Sequence, residues 1–264
     1  MHPVPRIYES NKILGSLTKM KCYPTVISFS KQMEMKGIHH SHVTLSILIN
    51  CFCHLSQMTF AFSIFGKIFK LGYHPNVVTL TTLMRGLCTN GEVRKALNFH
   101  DKMVAQGFRF DEVCYGTLIR GLCDIGETKA AIQLLGIIEA RSTKPNVVMY
   151  STIIHHLFKY GLANEALELY SEMVAKRIYP DLSTYNILVH GFCILGHLQE
   201  AIDFVNEMMS KNIIPHIYTY NILLDALCKE GRIKQANNVL AMMVRAYVKP
   251  TTVTLNTLMD TLML

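Results

Sequence analysis

The sequence predicts an all-α fold, an α-solenoid of helix-turn-helix repeats, each 35 residues long. Three observations predict it. Five of the eight cysteines, Cys53, Cys88, Cys123, Cys193 and Cys228, lie on one series with a step of 35, and Phe158 fills the vacant place. In the same frame the twentieth place is alanine six times (Ala61, Ala96, Ala131, Ala166, Ala201, Ala236), failing only at Val26. Each block also carries two apolar stripes at helical spacing, separated by a turn.

The blocks are residues 7–41, 42–76, 77–111, 112–146, 147–181, 182–216 and 217–251, with a partial block 252–264 and an N-terminal leader 1–6. The first helix of a block shows in Tyr220, Leu223, Leu224, Leu227 and Cys228, which step along one face. The fifteenth place ends it: Gly91, Gly126, Gly161, Gly196 and Gly231, with Ser56 and Lys21 earlier, since glycine accepts the left-handed C-terminal conformation. The second helix shows in Leu198, Ala201, Ile202, Val205 and Met208. A loop closes the block with Pro75, Pro145, Pro180, Pro215 or Pro250 and then a polar residue. Proline cannot continue the helix, and the polar residue can cap the next one. One pair of ~12-residue helices cannot bury its own apolar faces, so the pairs must stack on their neighbours.

Composition fits a large core: of 264 residues 50% are hydrophobic and 17% charged. The apolar run FAFSIFGKIFK is broken by Lys67, where a membrane span needs ~20 apolar residues. The opening MHPVPRIYE is no signal peptide. A net charge of +7 suits a polyanionic partner, although ordinary basic proteins share it. Eight cysteines in a chain this long do not read as a disulfide framework. No CxxC occurs, and Cys51 and Cys53 point to nearly opposite helix faces, so they cannot share a metal. Phe158 in the cysteine series argues for packing over ligation.

The block VVTLTTLMRGLCTNGEVRKALNFHDKMVAQGFRFD and the stretch DLSTYNILVHGFCILGHLQEAIDFVNEMMSKNIIP resemble the pentatricopeptide repeat. The Tyr-Asn pair, the G-x-C before the turn glycine, the Glu-Ala of the second helix and the closing Pro-Asp carry the resemblance. It covers residues 7–264, and LINCFCHL and SFSKQMEMKGI look most like the restorer-of-fertility-like branch of the plant organellar P class. The resemblance implies a right-handed superhelix that binds single-stranded RNA, one base per repeat. It implies base reading by the fifth and thirty-fifth residues: Asn11 with Ser41, Ser46 with Asn76, Thr81 with Asp111, Gly116 with Asn146, Ser151 with Asp181, Asn186 with His216, Asn221 with Thr251, and Asn256 alone. Both columns are polar, which is unusual for the fifth place of an apolar helix; the thirty-fifth is also where a helix cap falls. The family's code suggests cytosine for the first pair, adenine for the second, guanine for the third and fifth, and pyrimidine for the sixth and seventh. Gly116 should read weakly. The track is C-A-G-N-G-Y-Y, about seven nucleotides. The second residue, Tyr8, Val43, Val78, Val113, Val148, Ser183, Tyr218 or Val253, would wedge between bases, although helix packing also accounts for a valine column, and Ser183 breaks the pattern. Lys159 and Lys229 are candidates to meet phosphates.

No nucleotide-binding glycine loop, HExxH, calcium loop or HxE…PCxxC signature is present, so neither an enzyme nor a cofactor is expected. His39–His40 and His155–His156 are adjacent pairs that would point apart on a helix. A tetratricopeptide-like scaffold for protein partners is the alternative, and it would need clustered Lys and Arg rather than paired short polar residues. The family points to the mitochondrion ahead of the chloroplast. With only six residues before the first block, no transit peptide is visible, and the chain reads as a fragment or a shortened, weakly binding relative.

Overall fold

The computed structural model describes residues 7–140 and 143–262; the leader 1–6 and the last two residues of the partial block lie outside them. The described residues form fifteen α-helices: α1 (Ile7–Lys19), α2 (Tyr23–Met35), α3 (His42–His54), α4 (Met58–Lys70), α5 (Val77–Thr89), α6 (Val93–Ala105), α7 (Glu112–Asp124), α8 (Thr128–Ala140), α9 (Val147–Lys159), α10 (Ala163–Ala175), α11 (Leu182–Ile194), α12 (Leu198–Ser210), α13 (Ile217–Lys229), α14 (Ile233–Arg245) and α15 (Thr252–Leu262). This is an all-α solenoid built of helix pairs. The chain separates into two compact units, residues 1–131 with 140–143, and residues 132–139 with 144–264.

Local chemistry fixes the helix ends. Ser41, Asn76, Asp111, Asn146 and Asp181 each cap the following helix by accepting from the backbone N–H three residues on. At the other end Gly91 N–H donates to Cys88 O and Glu92 N–H to Leu87 O, closing α5 with the two reversed bonds of a left-handed C-terminal turn. Gly91 has φ +75°, and Ser56 and Lys21 take the same conformation at +57° and +60° without glycine's freedom.

In the first unit α3 packs on α1, α5 on α3 and α7 on α5; in the second, α11 packs on α9, α13 on α11 and α15 on α13. Within each unit, each first helix therefore lies on the first helix before it, and the second helices flank them. The alanine at the twentieth place of six second helices is fully buried, as is Val26 at that place in α2.

The cysteine series has a specific packing partner. A methyl group placed on Gly86 would come within 2.6 Å of Cys53 Sγ, and one on Gly121 within 2.7 Å of Cys88 Sγ. On Gly191 it would run into the Phe158 ring. The glycine and the cysteine of the G-x-C motif thus serve opposite interfaces: the cysteine fills the space that the next repeat's glycine leaves. No disulfide joins these cysteines. Burial pushes the Cys53 and Cys88 thiols up to about 11, and the Cys123 and Cys193 thiols to about 12. The thiolate, which is the metal-binding form, is therefore scarce at neutral pH. Among the described residues no group of three or more His, Cys, Asp or Glu is placed to hold a metal ion.

One expectation needs correction. His39 and His40 are not helical: they lie in the connection between α2 and α3, and His40 is buried with Nε2 2.9 Å from Ser30 Oγ. Gly37, at φ +73°, ends α2 before the pair is reached. His155 and His156 do lie on α9, one exposed and one buried.

The second unit also holds a polar cluster. Glu207 Oε1 accepts from Tyr170 Oη at 2.6 Å, Tyr185 Oη at 3.0 Å and Lys211 Nζ at 2.6 Å. Burial raises the Glu207 carboxyl, but these three donors outweigh it and hold it below the usual carboxylate value. A carboxyl depressed by folding stabilises the fold above its unfolded value, and that contribution is lost as pH falls through the folded value.

Two tests follow from this packing. Gly191→Ala should destabilise the fold by about 1–3 kcal/mol, and by less in a Phe158→Ala background; thermal melts of the four-member cycle measure it. Glu207→Gln should lower the melting temperature at neutral pH, and its gap from the wild type should close as the pH is taken down to about 3.

Candidate nucleic-acid interface

The first helices divide their faces sharply. In α5, Thr79, Leu80, Leu83, Met84 and Leu87 are buried, while Val78 and Arg85 are exposed and Thr81 is half-buried. The second place is open throughout: Tyr8, Val43, Val78, Val113, Val148, Tyr218 and Val253 are 53–68% exposed, and Ser183 is exposed as well. A branched apolar side chain left this open is not there for helix packing, so the packing account of that column fails. One turn further along the same face stands the fifth residue, three places on from the second.

The fifth and thirty-fifth columns are joined by a third column that the sequence reading passed over. It consists of Thr44, Thr79, Cys114, Met149, Thr184, Thr219 and Thr254, all buried. Ser46 Oγ lies 2.9 Å from Thr79 Oγ1, which donates to Asn76 Oδ1 at 2.8 Å. Ser151 Oγ lies 2.8 Å from Thr184 Oγ1, which donates to Asp181 Oδ1 at 2.8 Å. Thr44 Oγ1 donates to Asn11 Oδ1 at 2.7 Å, and Asn11 Nδ2 donates to Ser41 Oγ at 3.1 Å. Thr219 donates to Asn186 Oδ1 at 2.6 Å and Thr254 to Asn221 Oδ1 at 2.7 Å. Thr81 Oγ1 is 2.6 Å from Cys114 Sγ, whose backbone N–H donates to Asp111 Oδ1 at 3.0 Å. The signal for this column was available: a threonine at the third place of five blocks, inside a stripe that is otherwise apolar.

The capping account of the thirty-fifth column is correct as far as it goes, because five of its members cap. Capping occupies only one atom of each. Asp181 Oδ2 and Asn76 Nδ2 make no hydrogen bond among the described residues, and both residues are exposed. His216 makes no side-chain cap, and Thr251 Oγ1 stands 3.3 Å from Thr254 Oγ1. A methyl group on Gly116 would project into open space, so its repeat brings no fifth side chain to the pair. Asn256 is exposed on α15.

Four residues beyond the fifth comes another column that the sequence reading missed: Asn50, Arg85, Arg120, His155, His190 and Asp225. Arg85 and Arg120 are exposed, and Arg85 Nη2 donates to Asn50 Oδ1 at 3.2 Å. Of the two expected phosphate contacts, Lys159 is exposed, whereas Lys229 Nζ pairs with Asp225 Oδ2 at 2.7 Å.

The sequence matches the PPR repeat family over residues 75–124, 145–194, 180–229 and 215–263, and the PPR repeat over 43–73 and 113–141. These matches together cover more than half of the chain, which belongs to the pentatricopeptide repeat family. It is similar to the mitochondrial pentatricopeptide repeat-containing protein At1g12300 of Arabidopsis thaliana, at 46% identity over 71 residues, which are 27% of this chain and 11% of that protein. The matched segment is thus about a tenth of the relative's length. The fold resembles the crystal structure of the pentatricopeptide repeat protein PPR10 from maize, with a TM-score of 0.80 at 22% identity, over 97% of this chain and 37% of that one. It also resembles PPR10 in complex with an 18-nt psaJ RNA element, with a TM-score of 0.60 at 24% identity, over 94% of this chain and 41% of that one.

Proposed function

We propose that this chain binds single-stranded RNA through the exposed face of its first helices, one base per repeat, and acts by occupancy in organellar RNA processing, stabilisation or translation. The observation that carries the reading is the pairing of two short polar columns, fifth and thirty-fifth, beside an exposed apolar column. Hydrogen-bonding groups beside a stacking surface are what an unpaired base requires. The RNA complex of maize PPR10, a protein of the same fold, supports the class of ligand. The mitochondrial name of the Arabidopsis relative supports that organelle as the site of action.

The chemistry of the outward atoms fits the expected bases. Asp181 Oδ2 is an acceptor and suits the N–H groups on guanine's pairing edge. Asn76 Nδ2 is a donor and suits adenine's ring nitrogen. The outward Nδ2 of Asn186 and Asn221 suits a pyrimidine carbonyl. The exposed Arg85 and Arg120 supply charge for phosphates. The expected track is C-A-G-N-G-Y-Y.

Fluorescence anisotropy with a CAGNGYY RNA and a scrambled control tests the reading: the first should bind at least about tenfold tighter. Asp111→Asn should move the preference at the third base from guanine to adenine, and Thr81→Asn should weaken it. Equal affinity for both RNAs, or preferential binding of acidic peptides, contradicts the reading.

A further inference from the structure

The buried third-place threonines make hydrogen bonds that ordinary packing would not require. Thr184 is fully buried on α11 and belongs to the repeat after Ser151 and Asp181. A hydroxyl has one proton and two lone pairs. Asp181, as a carboxylate, only accepts, so the short contact from Thr184 Oγ1 to Asp181 Oδ1 at 2.8 Å takes the threonine proton. Toward Ser151, 2.8 Å away, Thr184 Oγ1 can then only accept, and Ser151 must donate. The serine proton is spent inside the protein, and Ser151, itself only 6% exposed, keeps only lone pairs for a further partner. The same reasoning fixes the amides. Because Thr219 donates to Asn186 Oδ1 and Thr254 to Asn221 Oδ1, each amide oxygen is held inward and each Nδ2 outward.

We infer that the buried threonine found at the third place of five blocks, Thr44, Thr79, Thr184, Thr219 and Thr254, is a positioning residue for base recognition: it sets the donor or acceptor sense that the preceding repeat's fifth side chain shows to the base. The inference rests on the base-reading function proposed above. Helix capping accounts for part of what these hydroxyls do, since Thr184 Oγ1 accepts from Asp181 N–H at 3.4 Å and Thr44 Oγ1 from Ser41 N–H at 3.2 Å, but not for their bonds to the preceding repeat's fifth side chain. The cap at Asp181 is made by the Thr184 backbone N–H, also at 2.8 Å, and would survive without the hydroxyl. At Asn146 the cap is made to Met149, which has no hydroxyl at all. In the sequence, the block that begins with methionine at this place follows the block whose fifth residue is Gly116, where there is no side chain to orient.

The test is Thr184→Val, which keeps the branched shape and the backbone cap and removes the hydroxyl. Dissociation constants are measured for the wild type, Thr184→Val and Thr184→Ser against CAGNGYY RNAs with guanine or adenine at the fifth base, and with guanine or adenine at the third. The wild type should prefer guanine at both. Thr184→Val should reduce the fifth-base preference about three- to tenfold and leave the third-base preference unchanged. Thr184→Ser should restore it. A Thr184→Val chain that binds all four RNAs weaker by one common factor, or whose fifth-base preference equals the wild type's, overturns the inference while leaving base reading intact. A wild type indifferent to both bases overturns the base-reading function itself, and the inference with it. Circular dichroism melts of the same variants separate these results from loss of fold: a chain folded at the assay temperature that keeps full fifth-base preference decides against the inference.

Discussion

The close approach of successive first helices is the constraint on which the rest depends. It is set where the tenth residue of one repeat meets the twelfth of the repeat before, Gly86 against Cys53 and Gly191 against Phe158. Nothing larger than hydrogen fits at these glycines unless the partner moves. The contact is made by glycine at Gly86, Gly121 and Gly191 and by Cys51, His156 or Ala226 at the same place in other blocks, and the surface columns share the 35-residue step of this stack. The cysteines that mark the step are packing residues, the thiols of Cys53, Cys88, Cys123 and Cys193 are pushed up by burial, and the regular spacing follows from the interface they fill.

The proposed recognition is built on the same stack. The third residue of a repeat belongs to the buried stripe, yet in most repeats it carries a hydroxyl that reaches back 33 residues to the fifth residue of the preceding repeat. Burial makes such a hydroxyl costly unless it is bonded, so the relay is held by the same free energy that holds the core. The surface groups at its ends are thereby oriented by rigid helices. This suits a readout in which each repeat must offer one defined set of donors and acceptors to one base.

Much of this was legible in the sequence for physical reasons. Helices and turns repeat because Gly231 and its counterparts occupy one left-handed place, and the fixed register extends that conformation to Ser56 and Lys21, which composition would not suggest. The second turn was less legible, since Arg177, Asn212 and Tyr247 adopt left-handed backbone there without glycine. Whether Val78 faces core or solvent could not be decided from its spacing, because it sits one residue outside the apolar stripe; its exposure decides it. The threonines were visible in the sequence as a recurring hydroxyl, but the relay they make was not. Its partners are 33 residues apart, and a threonine in a buried stripe is equally compatible with a cap or with packing. His39 and His40 were misplaced on a helix because nothing in their pair signals that α2 has already ended.

The central claim is that each 35-residue block accounts for one nucleotide of a single-stranded RNA. Selection of bound sequences from a random RNA pool, with the intact chain and with a chain lacking block 147–181, tests it most directly. The account predicts that the intact chain enriches C-A-G-N-G-Y-Y and that the shortened chain enriches a motif one nucleotide shorter, C-A-G-N-Y-Y. An enriched motif of unchanged length, or one altered at every position at once, would contradict it.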